Sequence, residues 1–395
     1  MSIRRLIFWL HLSAGVSVGL VVLLMSATGV LLAYERQIIA FAEHRAFAVE
    51  AAGRQPLGPD ELADAARRAL GEDAALVLTN DPDGPVKATA GRREGAYLDP
   101  YTGEVLGAGV EGVERFFGSV TALHRWLALE GEARSVGRAV TGAANLVFLF
   151  IAVSGLVLWW PRRWRWPLLK THLVFRRGLP TAKARDYNWH HVFGVWALVP
   201  LVLVVVSGTV ISYPWASDLV YRVYGEEPVR GRGAPGAAVS GGAGAAARSG
   251  DPDAADPLPL ERALEAASDV DPSWRTMTVT LPRSTDDTIT VTLDRGNGAQ
   301  AALRQTAVIS RADGAVLSLT GNESATPGRR ARTWMRFVHT GEVYGLAGQT
   351  VAALASLAAC FLVWTGLALA WRRLVQPLLR RSRAARPVPT REGRI

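Results

Sequence analysis

The chain has one cysteine, Cys360, among 395 residues. That excludes an intramolecular disulfide, an all-cysteine iron–sulfur cluster and a cysteine-rich zinc site. There is no Cys-x-x-Cys-His to attach haem covalently, no G-x-x-x-x-G-K-[ST] phosphate loop and no H-E-x-x-H zinc helix. Charge is missing from four long stretches. Residues 6–34, 139–160, 192–217 and 343–371 contain no Asp, Glu, Lys or Arg. About 20 apolar residues cross a bilayer as a helix, so each stretch is long enough. The first follows Arg4 and Arg5 like a signal peptide. Its apolar run is longer than a signal core, and Tyr34-Glu35-Arg36 ends it without a small-residue cleavage site, so it reads as a retained helix.

What charge there is falls unevenly. With both termini on the cytoplasmic side, the inner segments 1–5, 161–191 and 372–395 hold 18 Lys and Arg against two acids, Asp186 and Glu392. The outer segments 35–138 and 218–342 then carry the remaining 26 Lys and Arg against 33 acids, a net −7 against +16 inside. Basic clusters at span ends obey the positive-inside bias and suit an anionic inner leaflet. The overall +9 is therefore a membrane signature and not one of nucleic-acid binding. Trp159, Trp160, Trp164 and Trp166 fit an interfacial aromatic belt.

The organisation expected is an integral membrane α-helical protein with spans at 1–34, 139–160, 192–217 and 343–371. A basic cytoplasmic loop, 161–191, and a basic tail, 372–395, complete the inner side. Between the spans lie outer segments 35–138 and 218–342, the second with a Gly/Ala-rich linker at 229–257. Each outer segment reads as a helix followed by short antiparallel strands. The first has a helix at 60–70 and strands at 75–79, 86–90, 96–99 and 104–106. The second has a helix at 259–268 and strands at 276–281, 288–293, 305–311 and 316–319. The spans repeat too. His11 precedes Gly15, Gly29 and Tyr34 by 4, 18 and 23 residues, and His190 precedes Gly194, Gly208 and Tyr213 by the same intervals. Gly137 and Gly155 match Gly348 and Gly366, and His124 and His339 precede those spans. The chain thus reads as two parallel copies of span, domain, span.

Four histidines sit at matched places in that repeat: His11 and His190 near the inner edge, His124 and His339 near the outer edge. Eighteen residues are five helical turns, so each inner histidine shares a face with a glycine that admits a flat macrocycle or another helix. A pair of imidazoles, one from each copy, is the ligand set of a bis-histidine haem, which favours electron transfer because no iron position stays open. Two pairs would make two haem b groups. Histidines that merely line the interface, or a zinc site, are the alternatives at this point. Arg125 and Arg336, close to the outer pair, are candidates for haem propionates. His191 reads as an alternative ligand to His190, and His44 and His172 as solvated loop residues. Gly107-Ala108-Gly109-Val110-Glu111-Gly112 matches a dinucleotide fingerprint but follows a hairpin, which is the wrong context.

Asp99-Pro100-Tyr101-Thr102-Gly103-Glu104-Val105-Leu106-Gly107 resembles the end of a PepSY domain. Leu123-His124-Arg125-Trp126-Leu127, Trp189-His190-His191-Val192-Phe193-Gly194 and His339-Thr340-Gly341-Glu342-Val343-Tyr344-Gly345 resemble the His-bearing segments of the PepSY-associated transmembrane helix family. The second hairpin departs from the pattern, with Arg311-Ala312-Asp313-Gly314 at its turn. The resemblance implies two small α+β PepSY-like periplasmic domains on a bacterial inner-membrane protein that binds b-type haem. It implies reduction of a periplasmic ferric chelate, such as a ferric siderophore, with electrons from quinol or a reductase partner. The competing expectation is a non-enzymatic scaffold whose PepSY-like domains bind peptides or regulate a protease. A transporter is disfavoured because the spans hold no ionisable Asp, Glu, Lys or Arg.

The charge split predicts that reporters fused after Asp99 and after Asp313 are active only when exported. Activity of a cytoplasmic reporter at either position would overturn this topology.

Overall fold

A computed structural model describes residues 2–81, 84–91, 94–161, 163–228 and 258–379; the linker expected at 229–257 and most of the basic tail lie outside them. The helices are α1 (Ile3–Leu32), α2 (Glu35–Phe47), α3 (Pro59–Leu70), α4 (Glu111–Trp126), α5 (Ala133–Trp159), α6 (Trp166–Leu173), α7 (Ala182–Ser212), α8 (Pro214–Val223), α9 (Leu260–Val270), α10 (Pro327–Thr340) and α11 (Gly345–Leu374). The strands are β1 (Ala74–Thr79), β2 (Val86–Ala90), β3 (Glu94–Leu98), β4 (Val105–Gly107), β5 (Thr276–Thr280), β6 (Thr288–Asp294), β7 (Arg304–Ser310) and β8 (Val316–Gly321). They form two compact units. One comprises Met1–Ala33, Ser119–Tyr213 and the chain from Thr350; the other comprises Tyr34–Gly118 and Pro214–Gln349.

The first unit contains α1, α5, α7 and α11, and each belongs to a helix long and apolar enough to cross a membrane. Two of the helices start earlier than expected. α5 begins at Ala133 and α7 at Ala182, so Arg134, Arg138, Lys183, Arg185 and Asp186 are helical. A charge-free run locates the apolar centre of a span but not its ends, because a helix continues into polar surroundings until a capping residue stops it. Thr181 does this for α7: its hydroxyl accepts the Ala184 N–H. At the other end Pro214, which has no N–H to offer, starts a new helix, so α7 ends at Ser212 rather than 217. Small residues seat the helices. Ala355, Ala358 and Ala359 of α11 pack on Ala197 and Leu201 of α7. A buried Asn145 side chain clasps α5 to α7 by donating to the Val205 carbonyl and the Thr209 hydroxyl, both at 2.9 Å.

The second unit is built on one antiparallel eight-stranded sheet in the order β4-β3-β2-β1-β5-β6-β7-β8. The two outer segments, expected as two small domains, therefore share a sheet. Their first strands pair directly, Leu76 opposite Val279 and Val77 opposite Thr278. Each segment alone would leave β1 or β5 as an edge with unpaired backbone groups, and joining them satisfies both. α3 and α9 lie on the same face over a common core. Ala63, Ala66, Ala263 and Ala267 allow close approach to Leu76, Val279, Ile289, Val291 and Ile309, all nearly inaccessible. Asp60 of α3 caps α9, its carboxylate accepting the Leu260 N–H at 3.0 Å.

The two hairpin turns share a backbone pattern despite their different sequences. Asp99 N–H donates to Glu104 O and Gly103 N–H to Asp99 O; Ser310 N–H donates to Ala315 O and Gly314 N–H to Ser310 O. The Asp99 carboxylate accepts the Tyr101 N–H, as the Ser310 hydroxyl accepts the Ala312 N–H. Gly103 and Gly314 have φ of 71° and 74°, values that L side chains resist. The departure at the second turn thus keeps its hydrogen bonds by exchanging a carboxylate for a hydroxyl. Gly107, in the sequence that mimics a dinucleotide fingerprint, ends the edge strand β4 and sits against the Phe47 ring, where a Cβ would meet it at 2.6 Å.

One shared core predicts one unfolding event. Leu76→Ala should cost about 2–5 kcal/mol and raise proteolysis in urea equally at the Asp99 and Asp313 turns of the full chain. Selective opening of the first turn would show that the two strand sets unfold independently.

Candidate functional site

His11 lies on α1 and His190 on α7, and their rings face one another with centroids 6.5 Å apart at 89°. An imidazole nitrogen binds a metal at about 2.0 Å and stands roughly 1.1 Å from its ring centre, so two imidazoles on opposite sides of one ion have centres about 6.2 Å apart. The observed spacing fits that arrangement.

Both rings are held the same way. His11 Nδ1 lies 2.9 Å from Ser154 Oγ, and His190 Nδ1 lies 3.0 Å from Thr365 Oγ1. A hydroxyl has one proton to donate. Ser154 gives its proton to the Ile151 carbonyl and Thr365 to the Phe361 carbonyl, one helical turn back. With the hydroxyl proton so placed, the oxygen left over accepts from Nδ1–H, the tautomer that leaves the Nε2 lone pair free. Metal-binding histidines are commonly oriented by such a partner on the other nitrogen. The residue after each hydroxyl is glycine. A Cβ on Gly155 would meet His11 Cε1 at 3.4 Å, and one on Gly366 would meet His190 Cε1 at 3.3 Å, so any side chain there would crowd the ring.

His124 repeats the arrangement on α4. Its Nδ1 lies 2.9 Å from Thr28 Oγ1, Thr28 donates to Leu24 O at 2.7 Å, and Gly29 leaves room for His124 Cε1. A fourth pair of this type, Ser207-Gly208, stands on α7, where Ser207 likewise donates to the carbonyl four residues back, Leu203. The intervals singled out in sequence captured the glycines of these pairs but missed the hydroxyl residue before each. The signal was present: every span carries a Ser-Gly or Thr-Gly step, and the second carries two, Thr141-Gly142 and Ser154-Gly155.

His11 and His190 line a cavity of about 720 Å³ walled by α1, α5, α7 and α11. Most of the wall is apolar, and Gly15, Gly19, Gly155, Gly194 and Gly366 flatten it. Arg4, Arg5, Lys183, Arg372 and Arg373 also line it, and no Asp or Glu does so among the described residues. Several of these cations are fixed in place. Arg4 donates to the Leu158 and Trp160 carbonyls at the end of α5, and Arg373 stacks over Phe8. Arg372 pairs with Asp186 at 2.6 Å, and Arg185 holds the same carboxylate. Asp186 is buried, so its two guanidinium partners supply what lost water would have.

His191 also lines the cavity. It does not face His11; its Nδ1 donates to the Tyr187 carbonyl at 2.9 Å and its ring lies 4.6 Å from His172. His172 is not a solvated loop residue as expected. It sits on α6 between His191, Tyr187 and Trp159, with Nδ1 buried and unpartnered, and burial pulls its pKa below the ordinary value. His44 is exposed, as expected, but on α2. Arg125 stacks on Trp126, with 5.0 Å to the ring centre. His339 and Arg336 lie in the second unit, one turn apart on α10. Sequence reasoning did not anticipate α2, α4, α6, α8 or α10, the helices that carry or flank these groups.

The sequence model described as PepSY-associated TM region matches residues 8–373. No curated protein matches the chain.

Thr365→Val keeps the volume of this buried side chain but removes the acceptor for His190 Nδ1–H. A double-mutant cycle with His190→Phe, read by thermal unfolding in detergent, should show a coupling of about 0.5–1.5 kcal/mol. Additive effects would mean that the hydroxyl does not hold the ring.

Proposed function

The chain belongs to the PepSY-associated transmembrane family, and from that premise we propose that it is a haem-b membrane reductase delivering electrons to a ferric chelate outside the bacterial inner membrane. The observation that carries this reading is the His11–His190 pair, with its 6.5 Å ring spacing and a hydroxyl bonded to each Nδ1. Haem bound there would supply a one-electron couple with both axial positions filled.

The chain's own residues account for the rest. Ser154 and Thr365 present two neutral Nε2 atoms, which suits a cation that binds nitrogen. The glycines admit a flat ring between helices. Arg5, Lys183 and Arg373 supply cations for the propionates, and the apolar wall keeps water from the metal. Among the described residues no Asp or Glu lies on that wall to hold a hydrated metal ion. The reading extends to a second haem, at His124 and His339, on their matched sequence positions and on the His124–Thr28 bond. It takes the chain as two parallel copies with PepSY-like domains in the periplasm and both termini in the cytoplasm, as the +16 against −7 charge split supports. Quinol or a reductase partner would be the electron source and a ferric siderophore the acceptor. The non-enzymatic scaffold explains neither the hydroxyl bonded to each Nδ1 nor the paired glycines.

Purified protein made with ample haem should show dithionite-reducible b-type bands. His11→Ala or His190→Ala should remove about half of the haem, in keeping with loss of one of two axial pairs. A colourless, iron-free wild-type protein would overturn the reading and leave the scaffold.

A further inference from the structure

α8 (Pro214–Val223) has two unlike faces. Ala216 and Val220 are buried, and Ser217 between them accepts a hydrogen bond from Arg332 Nε of α10 at 2.8 Å. That side of α8 is its packing side. The opposite side is apolar and exposed. Trp215, Leu219 and Val223 follow one another at i, i+4 and i+8 and are 55%, 54% and 74% exposed. Tyr224, 52% exposed, continues the stripe. Arg222 is exposed on the same face, and Asp218 stands half-buried at its margin.

Three observations say what covers this face. The first is its place in the chain. α7 is a span that ends at Ser212, and α8 starts at Pro214. Val192 to Ser212 holds no charge and is about 30 Å long at 1.5 Å per residue, the thickness of a hydrocarbon core. Only Tyr213 joins the two helices, so α8 begins within roughly 7 Å of the end of the span. Tyr213 is extended, with φ −118° and ψ 124°, as a residue before proline prefers. α8 therefore starts on a new axis and does not prolong α7.

The second observation is composition. Trp and Tyr gather where hydrocarbon meets headgroups, their rings apolar and their N–H or O–H wet. A helix with Trp, Leu and Val on one side and a cation among them has the pattern of one lying in that layer. Arg222 can lay its stem on the apolar surface and carry its guanidinium to the phosphates. The third is a comparison within the chain. Tyr34 stands to His11 as Tyr213 stands to His190. Two, six and ten residues after Tyr34 come Arg36, Ala40 and His44 of α2, where α8 has Trp215, Leu219 and Val223. The equivalent face of α2 thus carries a cation and a histidine, and the stripe is not a demand of the repeated pattern.

We propose that the Trp215–Leu219–Val223 face of α8 is a membrane-seating surface, buried in the phospholipid headgroup layer at the C-terminal end of α7. Four side chains of this size, half to three-quarters exposed, present on the order of 500 Å². That falls short of the roughly 800 Å² per partner of a stable protein interface. A bilayer sets no such minimum, because the span already holds the chain there. Since α10 packs on the other face of α8, the seat also fixes the level of α10. The proposal depends neither on haem nor on which side of the membrane α8 faces.

The test uses the full chain with Cys360→Ala, which removes the native thiol. Trp215→Cys, Leu219→Cys and Val223→Cys are made singly, labelled with a nitroxide and placed in phosphatidylethanolamine–phosphatidylglycerol nanodiscs. Paramagnetic resonance then reads collisions with oxygen, which enters hydrocarbon, and with a water-soluble nickel chelate. All three labels should favour oxygen, at about 5–10 Å inside the headgroup–acyl boundary. Asp313→Cys, on an exposed turn, should favour nickel. Val223 is the decisive position, eight residues and about 12 Å along the helix from Trp215. If α8 rose from the bilayer, Val223→Cys would meet nickel as freely as Asp313→Cys, and the proposal would be overturned. Labels shielded from both reagents would overturn it too and assign the face to a protein partner. Each label replaces an exposed side chain, so the core need not yield to any of them.

Discussion

A hydroxyl in the apolar part of a helix satisfies itself by donating back to the carbonyl one turn earlier. That local habit governs the rest of the site. Once Ser154, Thr365 and Thr28 have given their protons to Ile151, Phe361 and Leu24, each can only accept, and the histidine beside it must be the donor. The tautomer of three imidazoles is thereby set without a single carboxylate. A carboxylate would do the same work by charge, but in a hydrocarbon setting its own desolvation would have to be met by another cation. Asp186 shows the alternative: it is buried, and it needs both Arg185 and Arg372.

The sheet of the second unit solves a different problem by a related route. Four short strands with one helix make a thin core, and an exposed first strand invites unwanted pairing. Joining β1 to β5 turns two such edges into the centre of a wide sheet and gives α3 and α9 a common hydrophobic floor. The remaining edges, β4 and β8, are short or carry small polar residues such as Ser318 and Thr320, which blunts them.

Much of this was legible in the sequence, and the part that was not has a common cause. Strand and helix positions in the outer segments agree with the structure to within two residues, because alternation and flanking Gly or Pro mark them locally. The spans were legible as apolar runs, though their ends were not, since Arg134 and Asp186 continue a helix that a charge count would stop. Of the unanticipated helices α2, α4, α6, α8 and α10, α2 has little amphipathic pattern, and the others carry aromatic residues that interrupt theirs. His172 reads as a loop residue in the sequence because nothing local announces its ring contact with His191. The Ser154–His11 bond joins residues 143 apart, and spacing along one span cannot reveal a partner supplied by another.

The Thr365–His190 bond spans 175 positions, and Arg372 reaches Asp186 across 186. A ribosome adding about 5–20 residues per second needs roughly 9–35 s to cover the shorter gap. During that interval α7 is already made, yet the hydroxyl that sets its histidine and the guanidinium that covers its acid do not exist. The bundle is therefore closed by its last helix. Any group held through His190 in its final geometry is loaded after synthesis has reached α11, so a chain truncated before Thr365 is defective in assembly and not merely shortened.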